Sequence, residues 1–407
     1  MLHIGHLVAT LVAGLALTLA APSTIAQKRY GPGASDTEIR IGQTMPYSGP
    51  ASAYGTIGRV HAAYFRKIND EGGINGRQIR LISLDDSYSP PKTMEMVRRL
   101  VEQDQVLLLF GMVGTASNSA VHKYVNEHRV PHLLVNAGAS KFTDPKGHPW
   151  TLAYIANYSL EAQVYARHIL ATKPEAKIAV LFQNDDFGKD YLAGFKEAMG
   201  ARSGQIVAQA SYEVSDPTVD SQVVTLKASG ADVLFNVSSP KFAAMAIRKV
   251  YEIGWKPLHY LVAPGSPIRS VLVPAGVDRS IGVITAVGGK DPVDPQWNDD
   301  PGMTDYRAFM KKYYPEGDPD DNLNSAGYNQ AVLMVQVLRA CGDDLTRENL
   351  LRQATTLKDV QLPLSLPGAL VSTGPDDYRL VKTLQMRRFD GQRYVPISDL
   401  IRIGGQQ

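Results

Sequence analysis

The pattern that most constrains this chain is an alternation of short apolar runs with helically spaced ones, which stops midway and begins again. Ile39–Thr44 and Ile79–Leu84 read as strands, and between them Ile57, Val60, Tyr64 and Ile68 recur at helical spacing. Met94, Val97 and Val101 mark a second helix, opened by Pro90-Pro91, which the first turn of a helix tolerates. A buried strand (Val106–Phe110), a helix (Ala116–Glu127) and another strand (His132–Val135) follow. Strand-helix alternation of this kind predicts a parallel sheet with helices on both faces.

The rhythm restarts after a connecting strand at Thr151–Ile155. Lys177–Phe182, Gln205–Ser211, Asp232–Asn236 and His259–Val262 read as strands, separated by helices at Lys189–Met199, Val219–Ala228 and Lys241–Ile253. Beyond Gly288 come Pro/Asp-rich turns, then helices at Thr304–Tyr314 and Ala326–Ala340. A chain of 407 residues is too long for one ordinary core, so the reading is α/β, with two doubly wound lobes.

Charge and motif content narrow the function classes. There are 42 Lys and Arg against 40 Asp and Glu, interspersed, with no basic stripe of the kind nucleic-acid binding requires. The pairs Lys311-Lys312 and Arg387-Arg388 read as solvated faces. No G-x-x-x-x-G-K-[ST], G-x-S-x-G or H-E-x-x-H occurs, and the histidines show no metal-ligand spacing. No enzyme, cofactor or metal site is therefore expected. The single cysteine, Cys341, sits in an apolar helical pattern and reads as a packing residue.

Leu7 to Ala21 is an apolar run shorter than the ~20 residues of a membrane span. Pro22 and Ser23 end it, and Thr24-Ile25-Ala26 offers small residues at the positions a signal peptidase reads. Residues 1–26 are thus expected to be a cleavable signal peptide, with the mature protein released into the periplasm.

In open parallel sheets, ligands sit beyond the carboxyl ends of the strands. Tyr54 follows the first strand in a Gly/Pro-shaped loop and is placed either to cover a ligand or to pack. Gly114-Thr115 opens a helix whose free N–H groups and dipole suit a carboxylate, although Thr115 or Ser117 as simple helix caps fits the same residues. Asn136-Ala137-Gly138-Ala139-Ser140 repeats that chemistry. Asp185-Asp186 reads as helix capping before Phe187 rather than as an acid pair for catalysis.

Together these residues resemble the type I periplasmic binding proteins of the branched-chain amino-acid (leucine/isoleucine/valine) group. The motifs that carry the likeness run almost the whole chain in order. They are Ile41-Gly42 with Pro46-Tyr47-Ser48-Gly49-Pro50, Glu71-Gly72-Gly73-Ile74-Asn75-Gly76-Arg77, Leu84-Asp85-Asp86, Phe110-Gly111, Asp185 to Asp190, and Arg388-Phe389-Asp390-Gly391. The resemblance implies a hinge crossed three times, with lobe 1 at 37–156 plus 288–375 and lobe 2 at 157–287 plus 376–407. It implies a cleft that closes on its ligand, an ABC permease as partner and a monomeric receptor. Gly114, Thr115, Gly138 and Ser140 would hold the ligand carboxylate, and Tyr54 and Phe187 would supply pocket aromatics.

The departures bear on the ligand. Amino-acid-binding members hold the α-ammonium with an acid after the last strand of the second lobe and a nearby tyrosine, at positions that here fall on Gly265 and Ser239. Asn157 also stands where an acid is found. A buried ammonium without a counter-charge is expensive, so the expected ligand is a carboxylate without an α-amine, aromatic or otherwise hydrophobic. The competing expectations are an amino-acid receptor and a sensory module acting with a separate partner.

Overall fold

A computed structural model describes residues 28–404 of the chain, so the signal-peptide reading at 1–26 lies outside the described residues. The chain opens with β1 (Arg29–Tyr30) and β2 (Glu38–Met45), then α1 (Gly55–Asp70), β3 (Gln78–Asp85) and α2 (Pro90–Arg98). Next come β4 (Leu108–Phe110), α3 (Thr115–Glu127), β5 (His132–Val135) and β6 (Thr151–Ala153). The strands β2 to β6 form a five-stranded sheet in the order β3-β2-β4-β5-β6, parallel throughout.

The second run is α4 (Tyr158–Thr172), β7 (Ile178–Gln183), α5 (Asp186–Met199), β8 (Ile206–Tyr212) and α6 (Asp220–Ala228). It continues through β9 (Val233–Val237), α7 (Pro240–Glu252), β10 (Leu258–Leu261), the short turns α8 (Val273–Ala275) and α9 (Val277–Ser280), and β11 (Ile284–Val287). The chain then adds α10 (Pro301–Tyr313), α11 (Asn322–Cys341), β12 (Asp344–Leu345) and α12 (Arg347–Ala354) before the final hairpin, β13 (Thr383–Phe389) and β14 (Tyr394–Arg402). The second sheet runs β14-β13-β11-β10-β9-β7-β8, with β13 antiparallel to both its neighbours. Both sheets share one winding: the first strand of each unit lies between the second and the third. That is the switch point at which doubly wound sheets bind ligands.

Local chemistry explains the elements. Helix α1 buries Ile57, Val60, Ala63, Tyr64 and Ile68 along one stripe. It packs on α11, where Tyr64 meets Tyr328 edge-to-face at 5.2 Å. Pro90 and Pro91 occupy the first turn of α2, and the Asp185 side chain accepts the N–H groups of Phe187 and Gly188 at the start of α5. The second sheet and helices α4 and α5 enclose a core that continues into β5 and β6, and in it Phe195 stacks on Phe235 at 4.4 Å. Cys341 is buried, its Sγ donating to the Val337 carbonyl, and burial pushes its thiol up to about 12, in keeping with a packing residue.

Two expectations needed correction. Val106 is not part of β4, because its N–H bonds back to the Leu100 carbonyl and closes the helical turn after α2. The antiparallel hairpin β13–β14 replaces what reads in sequence as a solvated arginine pair. Arg388 is exposed, but Arg387 is only 1% exposed. A register shift in the pairing with β14, between Gln385 and Arg387, turns both Met386 and Arg387 inward.

Candidate functional site

A cavity of about 290 Å³ lies where the carboxyl ends of the two sheets face each other. Its wall is built from residues just past strand ends: Thr115 after β4, Asn136 after β5, Phe187 after β7, Ser239 after β9, Pro264 after β10 and Asp291 after β11. The strand-end rule applied to the sequence reaches the first five of these, but not the stretches of wall from α11 and from Leu364 to Arg387.

The start of α3 forms part of this wall. Gly114 takes φ +103°, a conformation L side chains rarely adopt, and a Cβ there would stand 2.3 Å from the Tyr88 ring. The glycine therefore lets the chain turn into α3 with Tyr88 packed across it. No side chain caps this helix, so the capping alternative for Thr115 and Ser117 does not hold. The first N–H groups of a helix have no partner within it, and Thr115, 1% exposed, adds a hydroxyl 3.4 Å from that of Tyr158. Tyr88 and Ser87 before it both have left-handed φ values, 58° and 52°. Strain of that kind in a bulky residue concentrates at functional sites. Asp86 holds the turn by accepting the Tyr88 N–H and the Thr93 hydroxyl.

Other expected residues fall into three groups. Tyr54, Phe187 and Ser239 line the cavity with Gly114 and Thr115. Tyr54 also spans the cleft, its hydroxyl donating to the Pro264 carbonyl at 2.9 Å. Gly138, Ser140, Asn157 and Gly265 do not line it. A Cβ at Gly138 would meet the Ala156 carbonyl at 2.1 Å, and one at Gly265 would meet that of Ser238 at 2.3 Å. Both glycines thus serve close backbone approach. Ser140 gives its N–H (3.2 Å) and hydroxyl (3.1 Å) to the carboxylate of Asp190, so the anion it receives is the protein's own. Asn157 caps α4 through the Leu160 N–H and holds Ser140 and Thr143 with its amide.

The cavity also contains charge that the sequence did not disclose. Glu161, in the first turn of α4, is 2% exposed and lines the wall. Its oxygens accept the hydroxyls of Tyr165 (2.8 Å) and Tyr191 (2.7 Å) and the Ala263 N–H (2.9 Å). Burial outweighs those donors and pushes its carboxyl up to about 7. Gly265, Ser239 and Asn157 supply no acid, but Glu161 brings a carboxyl to the wall from another position, where it already serves three protein donors. Nothing in the local pattern around Glu161 separates it from an ordinary first-turn glutamate. Among the described residues no group of His, Cys, Asp and Glu side chains has a geometry for holding a metal ion.

Comparison with known proteins gives consistent relatives. The periplasmic binding protein family matches residues 38–393. The Leu/Ile/Val-binding protein homolog 7 of Brucella abortus (strain 2308) is 23% identical over 336 residues, 77% of this chain and 80% of the relative. A branched-chain amino acid ABC transporter protein from Thermus thermophilus, solved with bound valine, superposes with a TM-score of 0.81 at 16% identity. That superposition covers 91% of this chain and 97% of the other. A fatty acid ABC transporter substrate-binding protein from Thermomonospora curvata gives 0.77 at 20% identity over 92% and 95% of the two chains.

Proposed function

The chain belongs to the periplasmic binding protein family, and from that premise we propose that it is the substrate-binding component of an ABC importer for a small carboxylate. The observation that carries this reading is the bare start of α3, with Gly114 and Thr115 on the cavity wall. Charge-assisted hydrogen bonds from such a site are worth roughly 1.5–3 kcal/mol each. Three or four of them fix the acid in place, and burial of the ligand's apolar body adds the remainder that micromolar binding, about 8 kcal/mol, needs after association costs. The lobes that close would be 37–156 plus 288–375 and 157–287 plus 376–407, released into the periplasm as a monomer after removal of 1–26.

The proposed ligand is a hydrophobic or aromatic acid without an α-amine. Its body would lie against Tyr54, Ile57, Tyr88 and Phe187, which line the cavity, and the positions Gly265 and Ser239 offer an ammonium no charge. The second reading, an amino-acid receptor, is favoured by one observation: the Glu161 carboxyl lies in the same wall. A thermal-shift screen of branched-chain amino acids, benzoates, phenylpropanoids and aliphatic acids separates the two. A ligand at a hundred times its dissociation constant stabilises by ~2.7 kcal/mol. The largest shifts are expected from the amine-free acids. A panel in which leucine or valine shifts most and those acids do nothing replaces the first reading by the second.

A further inference from the structure

Arg387 is a further polar part of the same cavity wall. This arginine lines the cavity at 1% exposure. Of its five N–H donors, Nε gives a hydrogen bond to Gln385 Oε1 at 3.0 Å, and Nη1 is buried with no partner. Among the described residues no carboxylate oxygen lies within 4.0 Å of its guanidinium. Two of the neighbouring charges are engaged elsewhere. Lys290 is bound to Asp300 and to the Pro363 carbonyl. Asp294 is paired with Arg393, and the Tyr394 hydroxyl donates to the Ser266 carbonyl. Asp291 lines the cavity too, accepts the Val293 N–H and attracts Arg387 from beyond ion-pair distance, without giving its Nη1 a hydrogen-bond partner.

A buried guanidinium short of partners is costly to maintain unless something completes it. A hydroxyl or amide would satisfy a donor but add little to the partial balance that Asp291 and Asp294 give the charge. A carboxylate does both, with two oxygens matched to the guanidinium fork. The start of α3 already offers a receptor for one anionic group, so the wall carries two. We propose that Arg387 receives a second carboxylate and that the ligand is a dicarboxylic acid with an apolar body. This rests on the carboxylate-receptor reading above and specifies it.

Calorimetric titration of the full chain with matched acids tests this: octanoate against suberate, and benzoate against terephthalate. The wild type is expected to bind the diacid of at least one pair about tenfold tighter or more, about 1.4 kcal/mol. Arg387→Gln should erase that preference and leave the monoacid within about threefold of its wild-type affinity, and Arg387→Lys should keep part of the preference. Monoacids bound as well as their diacids by the wild type would overturn the inference and leave the carboxylate reading standing. So would an Arg387→Gln loss equal for both members of a pair. If no acid of either kind binds, the carboxylate reading itself fails. Should Arg387→Gln not fold, as judged by circular dichroism, the wild-type preference and the lysine variant decide.

Discussion

Gly114 is the residue on which the carboxylate end most depends, because its φ of +103° and the Tyr88 ring exclude a side chain on separate grounds. Gly114→Ala is expected to cost about 1–3 kcal/mol through backbone strain and to weaken carboxylate binding by moving Tyr88. A melting curve and a titration of the same preparation check both, and unchanged values for either would mean that the turn relaxes freely. Glu161 allows a prediction with a sign. Its folded carboxyl sits near 7, above the 4.5 of a free glutamate. The folded state therefore holds this proton more tightly, and its contribution to stability is complete below about pH 4.5 and lost as pH rises through 7. The melting temperature of Glu161→Gln should fall less than that of the wild type between those pH values. Equal slopes would show that Glu161 does not titrate there. Gly114 was legible in sequence because a glycine before a helix start has local meaning. Glu161 and Arg387 were not, since their roles come from burial by segments far along the chain. The Ala263 N–H that Glu161 accepts is 102 positions away.

Helices and strands were legible wherever a period was long enough to register. His132–Val135 is the strand expected, and α1, α3, α5 and α7 fall within a few residues of their predicted spans. Short or late elements were missed for physical reasons. β11 leads into turns rather than a helix, so the strand-helix rhythm does not mark it, and it is recognisable from its pairing with β10 and β13. β13 and β14 carry charges on a strand covered unevenly, and the register shift breaks their period-two pattern. The central strands are where an element's contribution is largest. Phe235 in β9 is fully buried against Phe195, with Tyr165 and Tyr191 around it. Phe235→Ala should destabilise by ~3–5 kcal/mol, from lost burial plus the cavity left behind. Denaturant unfolding followed by circular dichroism measures it. A loss under 1 kcal/mol would mean that the neighbouring rings collapse into the space.

The two sheets are joined across the cleft by contacts that involve no ligand. Besides the Tyr54 hydroxyl on Pro264, Ser119 donates to Asp186 at 3.1 Å and Arg269 pairs with Asp320. If the lobes open and close as proposed, each contact favours the closed arrangement whatever is bound, and apparent affinity scales with the closed fraction. The exposed ion pair contributes little, whereas Tyr54 is half-buried on the cavity wall. Removing its hydroxyl deletes one hydrogen bond of about 1 kcal/mol, roughly a fivefold change in the closed-to-open ratio. Tyr54→Phe should therefore weaken every ligand by the same factor, about two- to fivefold, without changing their order. It should also expand the ligand-free protein in small-angle scattering, and saturating ligand should reverse the expansion. A Tyr54 that instead touched the ligand's polar group would weaken some ligands and spare others. Titrating wild type and variant with the same set of acids thus distinguishes a latch between lobes from a direct contact, and a factor that varies between ligands rejects the latch.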